Sequence, residues 1–164
     1  MILELVATLD RTLAFMQAQV AGLSDDEMVI QPVGVPNHAA WTLGHMIYSC
    51  QEIAGELGLE GWLPADWKSN FGYGTSPGSI SPQYATKSAL LPSVRDAGER
   101  LRAALLQTDE DVLANPLPDE KVREVMPTLG HALLQVVAAH MAFHAGQLAA
   151  WRRAIGRPPV GTFL

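Results

Sequence analysis

The sequence predicts an all-α protein, a four-helix bundle with one long crossover between its second and third helices. Three observations carry that prediction. Apolar residues recur at three- and four-residue spacing over long stretches, no stretch alternates apolar and polar residues as a strand would, and glycine and proline mark the boundaries. The 164 residues fit one domain, 1–164, and a hydrophobic share of 48% is enough for a core.

The first predicted helix spans residues 2–20, where Ile2, Leu5, Val6, Leu9, Leu13 and Met16 fall on one stripe. Gly22 and the acidic stretch Ser24-Asp25-Asp26-Glu27 mark its end or a following turn, and Pro32, Gly34 and Pro36 make a loop. Asn37 reads as the N-cap of a second helix over 38–57 that ends near Gly58. The crossover from Gly61 to Pro82 is rich in Gly, Pro and Ser yet carries Trp62, Trp67, Phe71 and Tyr73. A plain linker has no use for four aromatics, so this segment either packs down as a cover or anchors itself as an ordered crossover. The third helix is expected over 91–106, with Pro92 in its first turn. Thr108 to Asp111 then resembles the cap of a short further turn, and Pro116 and Pro118 break the chain. The fourth long helix is expected from about Thr128 to Gly156, with Pro158 and Pro159 beyond it.

Charge and composition exclude several classes of function. A net charge of -6, with no basic stripe, argues against nucleic acid as a partner. Arg152, Arg153 and Arg157 form the densest basic cluster, and their place at the end of the last helix suits them to offset its negative terminus and solvate its surface. Cys50 is the only cysteine, so no intrachain disulfide forms, and a reducing cytoplasm is the expected location. Residues 1–13 carry Glu4 and Asp10 among apolar neighbours, unlike a secretory signal. From Pro127 to Trp151 there is no charged residue, a length that would span a bilayer. That stretch holds three histidines and two glutamines, which a lone span would bury at high cost; a central helix of a soluble bundle explains it better.

The chemistry is concentrated in five histidines: His38, His45, His131, His140 and His144. Four residues apart on a helix, His140 and His144 project from one face, about 5–6 Å apart at Cβ. At that separation two neutral imidazoles can share one metal ion, and both sit where an unpaired ring would be costly to desolvate. The third ligand must come from another helix, and His45 is the best candidate, mid-helix and beside Gly44, which permits close helix contact. His38 lies two turns before His45 and reads as a residue at the pocket mouth; His131 lies on the opposite face of the fourth helix from His140. Three protein ligands leave an open position for water, a substrate oxygen or a thiolate. No carboxylate stands at the spacing of a Glu-x-x-His pair or of a His-Glu-x-x-His motif, which argues against a di-iron bundle and a zinc protease.

The run His140-Met-Ala-Phe-His144-Ala-Gly146-Gln147, followed by Arg152-Arg153 and Gly156, resembles the terminal-helix pattern of the DinB/YfiT-like superfamily. Asn37-His-Ala-Ala-Trp41-Thr-Leu-Gly-His45 resembles the stretch around that family's first ligand, and Phe71-Gly-Tyr-Gly74 is similar more weakly. The resemblance implies an up-down-down-up bundle, a homodimer, and a divalent metal, zinc or nickel, held by His45, His140 and His144. Some relatives are S-transferases or isomerases that use bacillithiol, mycothiol or glutathione, which implies a small-molecule substrate and a low-molecular-weight thiol here. The expected activity is therefore metal-dependent thiol transfer or hydrolysis. Two other readings stand beside it: a non-catalytic bundle whose histidines staple helices or sense metal, and an interaction module with a vestigial site.

Other residues carry weaker expectations. Gln147, a turn beyond His144, could orient a ligand, though linking helix faces is the commoner role for such a residue. Trp41 and Tyr48 flank His45 and could line a pocket or simply pack the core. Cys50, turned away from His45, is expected to be a buried spectator. Glu52 and Asp66 are conceivable acid–base partners that nothing in the sequence places near the metal.

Overall fold

A computed structural model describes residues 1–77 and 84–161; the part of the crossover from 78 to 83, with Pro82, lies outside the described residues. The described residues form eight α-helical segments and no strand, with one isolated bridge between Pro116 and Thr128. Four long helices make the body. They are α1 (Ile2–Gln19), α3 (Ala39–Gly55), α5 (Lys87–Gln107) and a continuous terminal helix. The last comprises α7 (Leu129–Leu133), a π-helical stretch (Leu134–His140) and α8 (Met141–Ala154). The short helices α2 (Asp25–Met28), α4 (Trp67–Phe71) and α6 (Glu120–Arg123) decorate the connections. Both α1 and α3 pack against α5 on one side and the terminal helix on the other, which closes a ring of four helices. No described helix is long and apolar enough to cross a membrane.

The buried stripe of α1 is the predicted one: Leu5, Leu9, Leu13 and Met16 all face the core. Ser24 then starts α2 with a reciprocal capping box, its hydroxyl accepting from Glu27 N–H while the Glu27 carboxylate accepts from Ser24 N–H. In α3 every residue from Ala39 to Cys50 is buried, whichever way it faces. The sequence of that stretch carries no charge, as a helix covered on all sides requires.

Three expectations are corrected here. The N-cap of α3 is His38 rather than Asn37: its Nδ1 accepts from Trp41 N–H at 3.2 Å, so His38 is a buried cap and not a residue of the pocket mouth. The third helix begins at Lys87, a turn earlier than expected, because the Asp25 carboxylate accepts from Lys87 N–H at 2.7 Å and holds its start. Pro92 therefore lies inside the helix, where the carbonyl it leaves unpaired belongs to exposed Ser88, open to water. Arg152 is not a surface residue but 5% exposed, donating to Gln19 O at 2.6 Å and to Pro158 O at 2.7 Å. It closes the carbonyl end of α1. Arg157 bonds the Glu27 carboxylate across the surface.

The terminal helix starts where Thr128 caps it and stops at Gly156, whose φ of +80° a residue with a Cβ seldom adopts. Between those points the buried residues Leu129, Leu133, Val137, Met141 and Ala145 recur at a strict interval of four. On an ideal α-helix such a stripe drifts about 40° per step and would leave the core. The wider π turns over Leu134–His140 take up that drift and keep the stripe on the core. They also end at His140, so the winding that holds the core in register sets the direction of a candidate ligand.

Candidate metal centre

Two helices supply the site. His45, buried in mid-α3, faces the point on the terminal helix where the π turns give way to α8. There His140 and His144 stand one turn apart, and the ring centroids of the three histidines lie 4.6–5.0 Å from one another. One ligand atom from each ring falls within 4.8 Å of the other two, and His45 Nε2 is 3.1 Å from His140 Nε2. Two nitrogens on one tetrahedral zinc at 2.0–2.1 Å would stand about 3.3–3.4 Å apart.

The protonation pattern follows from the surroundings. His45 Nδ1 lies 2.6 Å from Phe71 O, a carbonyl that can only accept. The hydrogen is therefore on Nδ1, and Nε2 is a bare lone pair directed at His140. Burial holds the His45 pKa below its ordinary value, partly offset by the Phe71 carbonyl. Burial, with the neighbouring His45, pushes His140 down to about 4. Burial with both other rings pushes His144 down to about 3, and Gln147 opposes this slightly. All three rings are thus neutral at pH 7, the form that binds metal. Among the described residues His140 Nδ1 is buried without a hydrogen-bond partner, while the Gln147 side chain hydrogen-bonds His144. A buried nitrogen without a partner is an unusual cost unless something else satisfies the cluster. Three neutral imidazoles converging with a bare nitrogen between them fit a divalent cation such as zinc or nickel.

Aromatic and polar groups wall the cluster. The Trp41 ring stacks on His45 at 4.7 Å, and Tyr73 sets its edge against His45 at 5.5 Å and His140 at 5.6 Å. Phe143 stands beside His144 at 5.3 Å. Gln147 accepts from Asn37 Nδ2 at 3.1 Å, which ties α8 to the residue before the His38 cap. Gln147 therefore links helix faces, and does so next to a candidate ligand.

The remaining residues singled out in the sequence do not join the cluster. His131 is exposed at the start of α7, with its Nδ1 2.8 Å from Thr128 Oγ1. Cys50 is buried within α3, and burial pushes its thiol up to about 12. Glu52 hydrogen-bonds Tyr48, whose own pKa is raised first by burial and then by that carboxylate. Asp66 is exposed at the start of α4. Among the described residues the cluster includes no carboxylate. Sequence reasoning missed the Phe71 carbonyl, because a backbone acceptor has no side-chain signature. It missed the π winding too, although the strict four-residue repeat was a usable sign of it.

The described part of the crossover packs onto α3. Gln51 Oε1 accepts from both Trp62 N–H and Leu63 N–H at 2.7 Å, Phe71 is buried, and Trp62 and Trp67 are half-buried. Tyr73, 53% exposed, lies at the surface over the histidines.

Comparison with known proteins bears on the fold and the family of the chain. A crystal structure described as the conserved protein of a locus from Enterococcus faecalis superposes with a TM-score of 0.76. It is 20% identical in sequence, and the match covers 93% of this chain and 96% of that one, which shows a common fold. No curated protein matches the sequence. The family model of the DinB superfamily matches residues 5–148, a span that reaches into all four long helices and holds all three clustered histidines, and the chain belongs to that superfamily.

Proposed function

We propose that this protein binds one divalent metal ion, zinc or nickel, through His45, His140 and His144, and uses it as a metal-dependent enzyme of the thiol-transferase or hydrolase type. The observation that carries the reading is the convergence of three neutral imidazoles from two helices, with His45 Nε2 left bare 3.1 Å from His140 Nε2. Three ligands leave a coordination position open, and a divalent ion there lowers the pKa of a thiol or water that enters it.

The chain's own residues have distinct parts. Phe71 O holds the hydrogen of His45 on Nδ1, and Trp41 restrains the same ring by stacking. Tyr73, at the surface against two of the three rings, shapes the approach. The absence of a carboxylate from the cluster, among the described residues, favours a reaction whose nucleophile arrives with the substrate. A low-molecular-weight thiol meets that requirement, since its sulfur needs only to be ionised. The test is to load the protein with zinc or nickel and assay bacillithiol, mycothiol and glutathione against electrophilic acceptors, with ester and amide hydrolysis in parallel. Metal-dependent turnover that His45→Ala abolishes supports the proposal. Stoichiometric metal binding with no turnover on any of these would favour a metal that only joins α3 to the terminal helix.

A further inference from the structure

We propose that the crossover turn α4 and the two residues after it form a clamp that positions His45, so that metal binding and the docking of this turn are one linked event. The inference rests on the metal reading above but concerns a part of the chain that supplies no ligand.

Three contacts converge on two consecutive residues of α3. Trp67 Nε1 donates to Gly44 O at 3.1 Å. The Phe71 ring lies so close to Gly44 that a Cβ there would meet its Cε1 at 2.2 Å and its Cδ1 at 2.4 Å. Phe71 O accepts the His45 Nδ1 hydrogen at 2.6 Å. Gly44 has no positive φ to accommodate, and glycine weakens a helix interior. Its use here is explained by the approach of the Phe71 ring. Gly72 plays the matching part on the other strand of the contact: a Cβ would meet Lys68 O at 2.4 Å, and its absence lets the chain turn tightly out of α4. That turn delivers Tyr73 to the edges of His45 and His140.

The physical link runs through one hydrogen. While α4 is docked, Phe71 O keeps that hydrogen on Nδ1 and leaves Nε2 as the ligating lone pair, with the ring held in a single orientation. If α4 lifts, His45 loses its acceptor, can take the other tautomer and can rotate. A metal that requires the docked arrangement must in turn hold α4 down, because coupling between two events is reciprocal. The Gly44 backbone, the Trp67 indole and the Phe71 carbonyl are therefore positioning groups, and the Phe71 side chain acts by seating its own carbonyl.

Co²⁺ titration of the full-length protein tests this, followed by visible absorption, beside hydrogen exchange of residues 67–73 with and without Zn²⁺. Gly44→Ala should keep its helical circular dichroism, bind Co²⁺ about 10- to 100-fold more weakly and show a shifted cobalt absorption band. In the wild type, saturating Zn²⁺ should slow exchange across 67–73, and in His140→Ala it should not. Should Gly44→Ala fail to fold, Trp67→Phe removes the indole N–H while keeping an aromatic ring, smaller than the indole, against Phe71, and a several-fold loss of affinity is expected. Wild-type affinity and spectrum in both variants, or exchange at 67–73 indifferent to Zn²⁺ in a wild type that binds it, would overturn the clamp. A wild type that takes up neither ion would overturn the metal reading and the clamp with it.

Discussion

Replacing Arg152 by alanine removes a guanidinium that joins three parts of the chain. Its Nη1 donates to Gln19 O at 2.6 Å and to Ala21 O at 3.3 Å, at the carbonyl end of α1, and its Nε donates to Pro158 O at 2.7 Å, beyond the end of α8. The bond to Gln19 is fully buried and the other two are partly so. A hydrogen bond to a charged group contributes about 1.5–3 kcal/mol, and a buried carbonyl left without a donor costs about 1–3 kcal/mol. Against this, alanine removes the cost of keeping a charge out of water. The net expectation is a loss of about 2–4 kcal/mol, or a fall in Tm of about 5–15 °C for a chain of this length. Arg152→Lys keeps the charge but not the fork that reaches two elements at once, and should lose about 1–2 kcal/mol. Urea unfolding followed by circular dichroism measures both. An Arg152→Ala protein within about 0.5 kcal/mol of wild type would refute the assignment of this residue as the closure of α1.

Three further outcomes are expected from single features. Thr12 Oγ1 is buried with no partner among the described residues, so Thr12→Val should raise stability by about 0.5–1.5 kcal/mol in the same urea assay; a loss would show that the hydroxyl is satisfied after all. Cys50 is 1% exposed with its thiol raised to about 12, so a thiol reagent should label it only on unfolding, and prompt labelling of the native protein would contradict the packing of α3. The metal-free protein should lose stability on acidification. His45, His140 and His144 have folded pKa values below the ordinary value of about 6.5, so their contribution is fully present above that pH. As pH falls below 6.5 the unfolded chain takes up protons that the native rings do not, and stability drops toward pH 4 for His140 and pH 3 for His144. The slope is at most about 1.4 kcal/mol per pH unit per ring, reduced by the solvent contact the rings retain. Urea midpoints between pH 7 and 4.5 should fall more steeply in wild type than in a His140→Leu, His144→Leu variant, and equal slopes would contradict neutral burial.

Much of the fold was legible because its information is local. The stripe from Ile2 to Met16, the Thr128 cap and the Gly156 stop each lie within a few residues of the feature they determine. The candidate ligands were legible for a related reason: His140 and His144 are one turn apart, and His45 is the histidine in the middle of an uncharged helix. What escaped depends on distant partners or on the backbone. Arg152 reads as surface charge until the end of α1, 133 residues away, is placed against it. Lys87 gains a helical start from Asp25, 62 residues earlier, which no local propensity could supply. His38 displaced Asn37 as the cap of α3 because either side chain can accept from the first turn, and Asn37 is drawn to Gln147. The hold of Phe71 on His45 is made by a carbonyl every residue possesses, so only the odd placement of Gly44 in a helix hinted at it.

The central claim is that three histidines from two helices form one metal site. The direct measurement is elemental analysis of protein purified without a histidine tag, after incubation with zinc and with nickel and removal of the excess. The same measurement is made on a His140→Ala, His144→Ala variant. The account predicts about one equivalent of metal per chain in the wild type and essentially none in the variant, with both proteins helical. A helical wild type that retains no metal, or a variant that retains as much as the wild type, would contradict it.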